Sequence, residues 1–287
     1  IMFDGLSDKN LFLVNNELKN FAKKNDYLII PLDEILLMKE NDFWVESFIV
    51  GALGMRCSVV TDLTTGDTVI IDGGSEADRI ISWIDNFTGK GPNYSNGPTS
   101  NQQLTKYGIE QRKVVALLNT HAHFDHSGEI PILKSNYDVD WYLHEDDNYL
   151  QSLAQSSAMR WGFSLPEPAI ADHKIADGQN LSLGSLEFQI LHTPGHTLGG
   201  CCLLVKIEDG PDHLFAGDTL FAGSVGRTDL PDTGGDFDVL SRSIKTKLWP
   251  LADDTIVYPG HGPLTTIGKE KRDNPFVGAS DAFGKFH

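Results

Sequence analysis

The chain reads as two successive patterns of hydrophobic and polar positions. Over 7–24, Leu11, Val14, Leu18, Phe21 and Ala22 recur at helical spacing behind Ser7 or Asp8, which predicts an amphipathic helix, and an apolar stretch follows at 27–38. From Trp44 the pattern changes to short β-rich runs at 48–50, 57–61 and 68–71, with a turn at Thr65-Gly66, and Asp72-Gly73-Gly74 breaks the third run. A helix is predicted over 76–87 with Ser75 as its cap. Residues 88–108, rich in Gly, Pro, Asn and Ser, read as a long loop. The continuous apolar run at 114–118 reads as a buried strand, followed by a helix beginning over 129–135, a strand at 139–143 and a mostly helical stretch at 146–161. The second half repeats the style, with strands near 186–191, 201–205, 213–216 and 255–258 and a helix over 237–247. Two halves of strands plus helices predict two sheets packed together with helices outside.

Composition narrows the partners. A formal net charge of −17 argues against nucleic acid and against an anionic membrane surface, since both call for concentrated Lys and Arg. No apolar run is long enough to span a bilayer, and no secretory signal is visible. Of the three cysteines, Cys201 and Cys202 are adjacent and point to opposite faces if they lie on a strand. Buried strand thiols in a reducing compartment, hence a cytoplasmic protein, are the expectation. Trp83, Trp141, Trp161 and Trp249 are expected as core anchors.

The chemistry is concentrated in His121-Ala122-His123-Phe124-Asp125-His126, which places four metal-capable side chains in six residues. Imidazoles around a carboxylate suit borderline metals and make a poor core. Further candidates sit beside Gly or Pro at strand ends: His196 in Thr193-Pro194-Gly195-His196-Thr197, Asp218 in Phe215-Ala216-Gly217-Asp218-Thr219, and His261 in Tyr258-Pro259-Gly260-His261-Gly262. Loops at strand ends are where a rigid scaffold presents reactive groups. His144, His173, His192 and His213 stand outside any motif and read as surface or core histidines.

This ordered set resembles the metallo-β-lactamase superfamily over about 44–275. Within it the chain is most similar to the glyoxalase II group of hydroxyacylglutathione hydrolases, in their short form. Gly226-Arg227-Thr228-Asp229 and the tail Thr266-Ile267-Gly268-Lys269-Glu270-Lys271-Arg272 with Asn274-Pro275-Phe276 carry the same likeness. The resemblance implies an α/β fold, an αββα sandwich of two mixed β-sheets flanked by helices, over 44–287, with 1–43 as an N-terminal helical extension. It implies two divalent metal ions, zinc first and iron or manganese as alternatives. His121, His123 and His196 would hold the first, Asp125, His126 and His261 the second, and Asp218 would bridge them. The implied activity is hydrolysis of a small thioester such as S-lactoylglutathione by a metal-bridging hydroxide that Asp125 orients or deprotonates. Arg227 would contact a substrate carboxylate, with an ion pair to Asp229 as the other reading of that residue. On the same fold, a persulfide dioxygenase using one iron on His121, His196 and Asp218 is the runner-up, and a lactonase comes third. A small-molecule thioester is the expected partner, and a second copy of the chain is a further candidate.

Overall fold

From Phe43 onward, the computed structural model builds its first sheet in simple spatial order. The strands are β1 (Phe43–Val50), β2 (Met55–Asp62), β3 (Asp67–Ile71), β4 (Lys113–Leu118), β5 (Trp141–His144) and β6 (His173–Ile175). β1, β2 and β3 form an antiparallel meander, and β3 to β6 run parallel. The second sheet comprises β7 (Asn180–Leu183), β8 (Leu186–His192), β9 (Cys201–Val205) and β10 (His213–Gly217). After a small hairpin of β11 (Leu220–Phe221) and β12 (Ser224–Val225), it adds β13 (Ile256–Pro259) and β14 (Thr265–Thr266). Its order is β14-β13-β10-β9-β8-β7, with β10 and β13 as a parallel pair inside an antiparallel sheet. The described residues are 35–36, 43–85, 104–105, 108–208 and 210–279. The chain divides into two units, Ile1–Ile35 and Leu36–His287, and the fold given is that of the second. The helix expected at 7–24 lies outside the described residues, as do most of 27–38 and most of the loop at 88–108.

Alternation at period two sets the layering. Val69 and Ile71 of β3 and Ala116 and Leu118 of β4 face the core between the sheets, where they meet Phe188, Ile190, Leu203 and Phe215 of the second sheet. Their neighbours Ile70 and Leu117 point the other way, onto α1 (Ala77–Asp85) and α3 (Ile130–Tyr137) through Ile80, Ile84, Ile130 and Leu133. On the far side Cys202, Leu204 and Leu214 pack against α6 (Phe237–Ser243) and α7 (Ile267–Asp273) through Leu240 and Ile267. Strands buried on both faces read as unbroken apolar runs, and this is why β4 was visible as one. The two mixed sheets with flanking helices are the αββα sandwich expected. Cys57, Cys201 and Cys202 are buried free thiols, with Cys201 in the central core and Cys202 in the outer one, on opposite faces as the strand geometry requires. No helix among the described residues is long and apolar enough to cross a membrane.

The structure bears out some local expectations and corrects others. Ser75 does not cap α1. The Ala77 amide donates to Glu129 Oε2 at 2.6 Å, while the Ser75 hydroxyl donates to the Asp125 carbonyl at 3.2 Å. Glu129 is remote in sequence, so local capping rules could not find it. The stretch 146–161 is mostly helical as expected, in a 3₁₀ turn (Glu145–Asp147), α4 (Asn148–Ser152) and α5 (Ala154–Arg160). The helix expected over 237–247 is present as α6 and widens into a π-turn at Ile244–Leu248. Trp141 is a buried anchor, but Trp161 is 56% exposed at the end of α5.

Phe188 is fully buried between the sheets. Phe188→Ala is expected to destabilise the chain by about 3–5 kcal/mol through lost burial and an unfilled cavity. Urea denaturation of the two proteins checks this, and a shift below about 1 kcal/mol would mean that the sheets do not pack through this residue.

Candidate metal centre

Parallel strands end together, and here their C-terminal ends carry the reactive residues. β3 delivers Asp72 and β4 delivers Asn119-Thr120-His121, held in register by the Ile71–Leu118 pairing and by the Asp72 amide donating to the Leu118 carbonyl at 3.2 Å. In the other sheet β10 delivers Asp218 and β13 delivers His261, with Gly217 paired to Pro259. His196 lies on the turn between β8 and β9. His123 is extended (φ −61°, ψ 147°) at the start of α2 (Phe124–Ser127), and that short helix presents Asp125 and His126.

All seven sequence-predicted donors converge. His121, His123, His196 and Asp218 form one group and Asp125, His126 and His261 another, with the donor atoms of each group within 4.8 Å of one another. His123 Nδ1 lies 2.9 Å from His121 Nε2 and 2.9 Å from His196 Nε2. Two nitrogens held tetrahedrally by one zinc would stand ~3.3 Å apart, so these rings are close to that spacing. Asp218 spans the groups: Oδ2 is 3.4 Å from His196 Nε2 and 3.6 Å from His261 Nε2, and Oδ1 is 3.4 Å from His126 Nε2. Asp125 Oδ2 lies 3.3 Å from His261 Nε2.

The electrostatics suit cations. Burial first, then the neighbouring rings, pushes His121 well below the ordinary histidine value and His123 down to about 3. These rings are therefore neutral and offer lone pairs, as metal ligands must. For His126 burial acts downward, but Asp218, Asp125 and Asp72 outweigh it and hold the ring well above the ordinary value. Burial would likewise raise the Asp218 carboxyl, and the facing His126 outweighs it and holds it well below the usual range. His126 Nε2 and Asp218 Oδ1 are buried with no hydrogen-bond partner among the described residues, although they face each other. An ion between them would satisfy both atoms. The donor set thus fits metal ions, and His and carboxylate donors suit zinc, iron and manganese alike.

A further layer of residues aims the rings. Asp72 sits at φ 54°, a left-handed conformation that Asp tolerates better than most residues. Its Oδ2 accepts from the Thr120 hydroxyl at 2.7 Å and meets His126 Nδ1 at 3.0 Å, and Thr120 Oγ1 in turn meets His121 Nδ1 at 3.1 Å. Both rings are thereby left with Nε2 facing the centre. Asn119 Nδ2 donates to the His126 carbonyl at 2.7 Å and its Oδ1 accepts from Trp141 Nε1 at 2.9 Å. Sequence reasoning took Asp72 only as part of a strand breaker; the signal available was a carboxylate at the end of a strand parallel to the motif strand. Gly226 and Gly260 admit close approach. A Cβ on Gly226 would meet the Asp218 carbonyl oxygen at 1.8 Å, and one on Gly260 would meet Asp218 Oδ1 at 2.2 Å.

Arg227 makes the Asp229 ion pair that was one of its two readings, and its backbone adds a contact that the sequence did not suggest. Its backbone carbonyl accepts from His196 Nδ1 at 2.6 Å, and its exposed guanidinium forms a bidentate pair with Asp229 at 2.8 and 3.0 Å. The unassigned histidines are structural in their surroundings: His213 meets the Tyr258 hydroxyl at 2.9 Å and His173 pairs with Asp140 at 2.8 Å. His144, Asp146 and His192 also bring donor atoms within 4.8 Å of one another, but His144 Nδ1 accepts from the Asp146 amide at 3.3 Å and His192 Nε2 donates to the Leu198 carbonyl at 2.9 Å, with the two rings stacked at 4.1 Å.

The sequence pattern of the metallo-beta-lactamase superfamily matches residues 51–261. The chain belongs to that superfamily. It is similar to hydroxyacylglutathione hydrolase GloC of Haemophilus influenzae, 36% identical over 81% of this chain and 97% of that protein. It also resembles two solved structures. One is the BLEG-1 B3 metallo-beta-lactamase (33% identity, TM-score 0.66, covering 81% of this chain and 99% of that one). The other is TTHA1623 in a di-iron-bound form (35% identity, TM-score 0.62, covering 80% and 98%). With its converging donor groups, the chain is a metal-dependent hydrolase of this superfamily.

Because the Asp218 carboxylate approaches rings of both groups, Asp218→Ala is expected to lower the metal content per chain markedly. Elemental analysis of freshly purified protein checks this, and undiminished stoichiometry in the variant would contradict a shared ligand.

Proposed function

We propose that the chain hydrolyses small thioesters of the S-hydroxyacylglutathione type with two metal ions. The observation that carries this reading is the convergence of seven donors into two groups linked by Asp218. His121, His123 and His196 would hold one ion, Asp125, His126 and His261 the other, and Asp218 would serve both. When bound, such ions polarise a carbonyl and make water acidic enough to attack it near neutral pH.

The chain's own residues supply the rest. Asp125, whose Oδ2 lies 3.3 Å from His261 Nε2, orients the attacking water and takes its proton. Burial would raise its carboxyl, but His126 and the hydrogen bond from His261 outweigh that and hold it below the usual range, so it is ionised and can accept a hydrogen bond from the water. His126 is tied through Nδ1 to Asp72, which aims its Nε2 at the site. A thioester suits this arrangement because a thiolate, with a pKa of about 8.5, leaves without being protonated first, whereas an amine would need an acid. Asp125 lines a cavity of about 150 Å³ whose walls mix Leu53, Phe124, Phe163 and Leu165 with Ser75, Glu76, Glu129 and Ser164. That volume suits a small acyl group and is below the ~300–1,000 Å³ of pockets for drug-sized ligands. The similarity to GloC supports a glutathione thioester as the first substrate to try. Arg227 would exchange Asp229 for a substrate carboxylate, a swap that its exposed position allows.

The test is metal content together with S-lactoylglutathione hydrolysis, before and after chelation. About two ions per chain, turnover lost on chelation and restored by added metal are the expected results. One iron per chain without hydrolysis would sink the thioesterase reading. It would direct attention to a persulfide dioxygenase on His121, His196 and Asp218, a two-histidine, one-carboxylate set suited to iron. Turnover of a lactone but of no thioester would favour the lactonase.

A further inference from the structure

Two buried charged side chains outside the donor set tie down the loops that the donors ride on. Asp147, on the 3₁₀ turn after β5, is 1% exposed. Its Oδ2 accepts from the Ala122 amide at 2.9 Å and from the Thr197 hydroxyl at 3.0 Å, and its Oδ1 accepts from the Gly199 amide at 2.6 Å. Ala122 lies between His121 and His123, and Thr197 follows His196. One carboxylate therefore joins the histidine loop of the first sheet to the histidine loop of the second. Gly199 makes the approach possible, because a Cβ there would meet Asp147 Oδ1 at 2.8 Å. Arg56, on β2, is 5% exposed. Its Nε donates to the Pro259 carbonyl at 3.1 Å and its Nη2 to the Gly262 carbonyl at 2.7 Å, while its backbone amide donates to the Gly260 carbonyl at 2.6 Å. Nη1 donates to Ser47 Oγ at 2.6 Å, which fixes the fork from behind. These three carbonyls flank His261.

Burying a carboxylate or a guanidinium is costly unless its hydrogen-bonding capacity is met, and both of these are met by loop backbone on either side of a donor. We propose that Asp147 and Arg56 are positioning residues that set the two donor groups separately, Asp147 the group of His121, His123 and His196, and Arg56 the His261 arm of the other. The inference rests on the two-ion reading above. Neither residue touches an ion; each acts by keeping ring nitrogens at coordinating distance. Outer partners of this kind are worth about 10–100-fold in metal affinity. An arginine fork is needed at position 56 because a lysine ammonium cannot span two carbonyls in one plane.

The test titrates Zn²⁺ into apoprotein against a chromophoric chelator, with [¹⁵N]histidine NMR reporting which rings bind at each step. Asp147→Ala is expected to weaken the ion on the His121, His123 and His196 rings by about 10–100-fold and to leave the other ion as in the wild type. Thr197→Val, which removes one of the three donors and keeps the shape, should weaken the same ion to a smaller degree. Arg56→Lys should do the reverse, weakening the ion on His126 and His261 alone. Equal weakening of both ions by either variant overturns the proposal, as does a lowered melting temperature with unchanged Zn²⁺ affinity. If Asp147→Ala does not fold, Thr197→Val decides the first half, and unchanged affinity there overturns it. A wild-type chain that takes up no Zn²⁺ overturns the metal reading itself, whereas a wild type with two ions and indifferent variants overturns only the division of labour.

Discussion

Asp125 and Asp218 are largely buried beside one another, and the repulsion between two carboxylates with little water around them has to be offset by positive charge. Like charges held close in a low-dielectric setting repel by an amount that matters against a marginal folding stability. The surrounding rings divide according to that need. His126 and His261 face the carboxylates and hold protons more tightly than usual, against the opposing effect of their own burial. His121 and His123, which chiefly face burial and other rings, are neutral. A divalent ion beside the carboxylates would supply the charge of two protons from a single position and use the lone pairs of several rings at once.

The fold meets this requirement by bringing strand ends from two sheets to one edge. β3 with β4, and β10 with β13, are the parallel pairs that end there, and parallel strands are the arrangement that puts successive C-terminal ends side by side. Glycines then let backbone approach where a side chain would intrude. A Cβ on Gly74 would lie 2.0 Å from the His126 carbonyl carbon, so the α2 helix carrying Asp125 and His126 seats directly on that backbone. The Asp72-Gly73-Gly74 segment therefore both braces His126 and makes room for it.

Much of this was legible in the sequence, for physical reasons that differ by element. β4 was visible because a strand buried on both faces reads as a continuous apolar run. The donors were visible because His and Asp beside Gly or Pro at strand ends have few structural uses in that combination. Arg227 was half legible: its pairing with Asp229 follows from their proximity in sequence, but the carbonyl that braces His196 carries no side-chain signature. Asp147 was hidden inside a stretch that reads as helix, and its partners lie 25 and 50 residues away. Glu129 at the α1 terminus and Arg56 at the His261 loop were hidden for the same reason, since a hydrogen bond between distant segments leaves no periodicity to detect.

Each donor group draws on both sheets, and this couples metal binding to the sandwich itself. His121 and His123 follow the first sheet and His196 and Asp218 the second; Asp125 and His126 follow the first and His261 the second. An ion in either group would staple the layers at the edge where the apolar core between them gives out. A ligand that binds only the folded state adds RT ln(1 + [L]/Kd) to stability, about 4 kcal/mol at a thousandfold excess over Kd. Two such ions would add an amount comparable to the whole stability of an ordinary domain. Ions held there would therefore let the edge carry polar, mutually repelling groups that would be a liability elsewhere in the core.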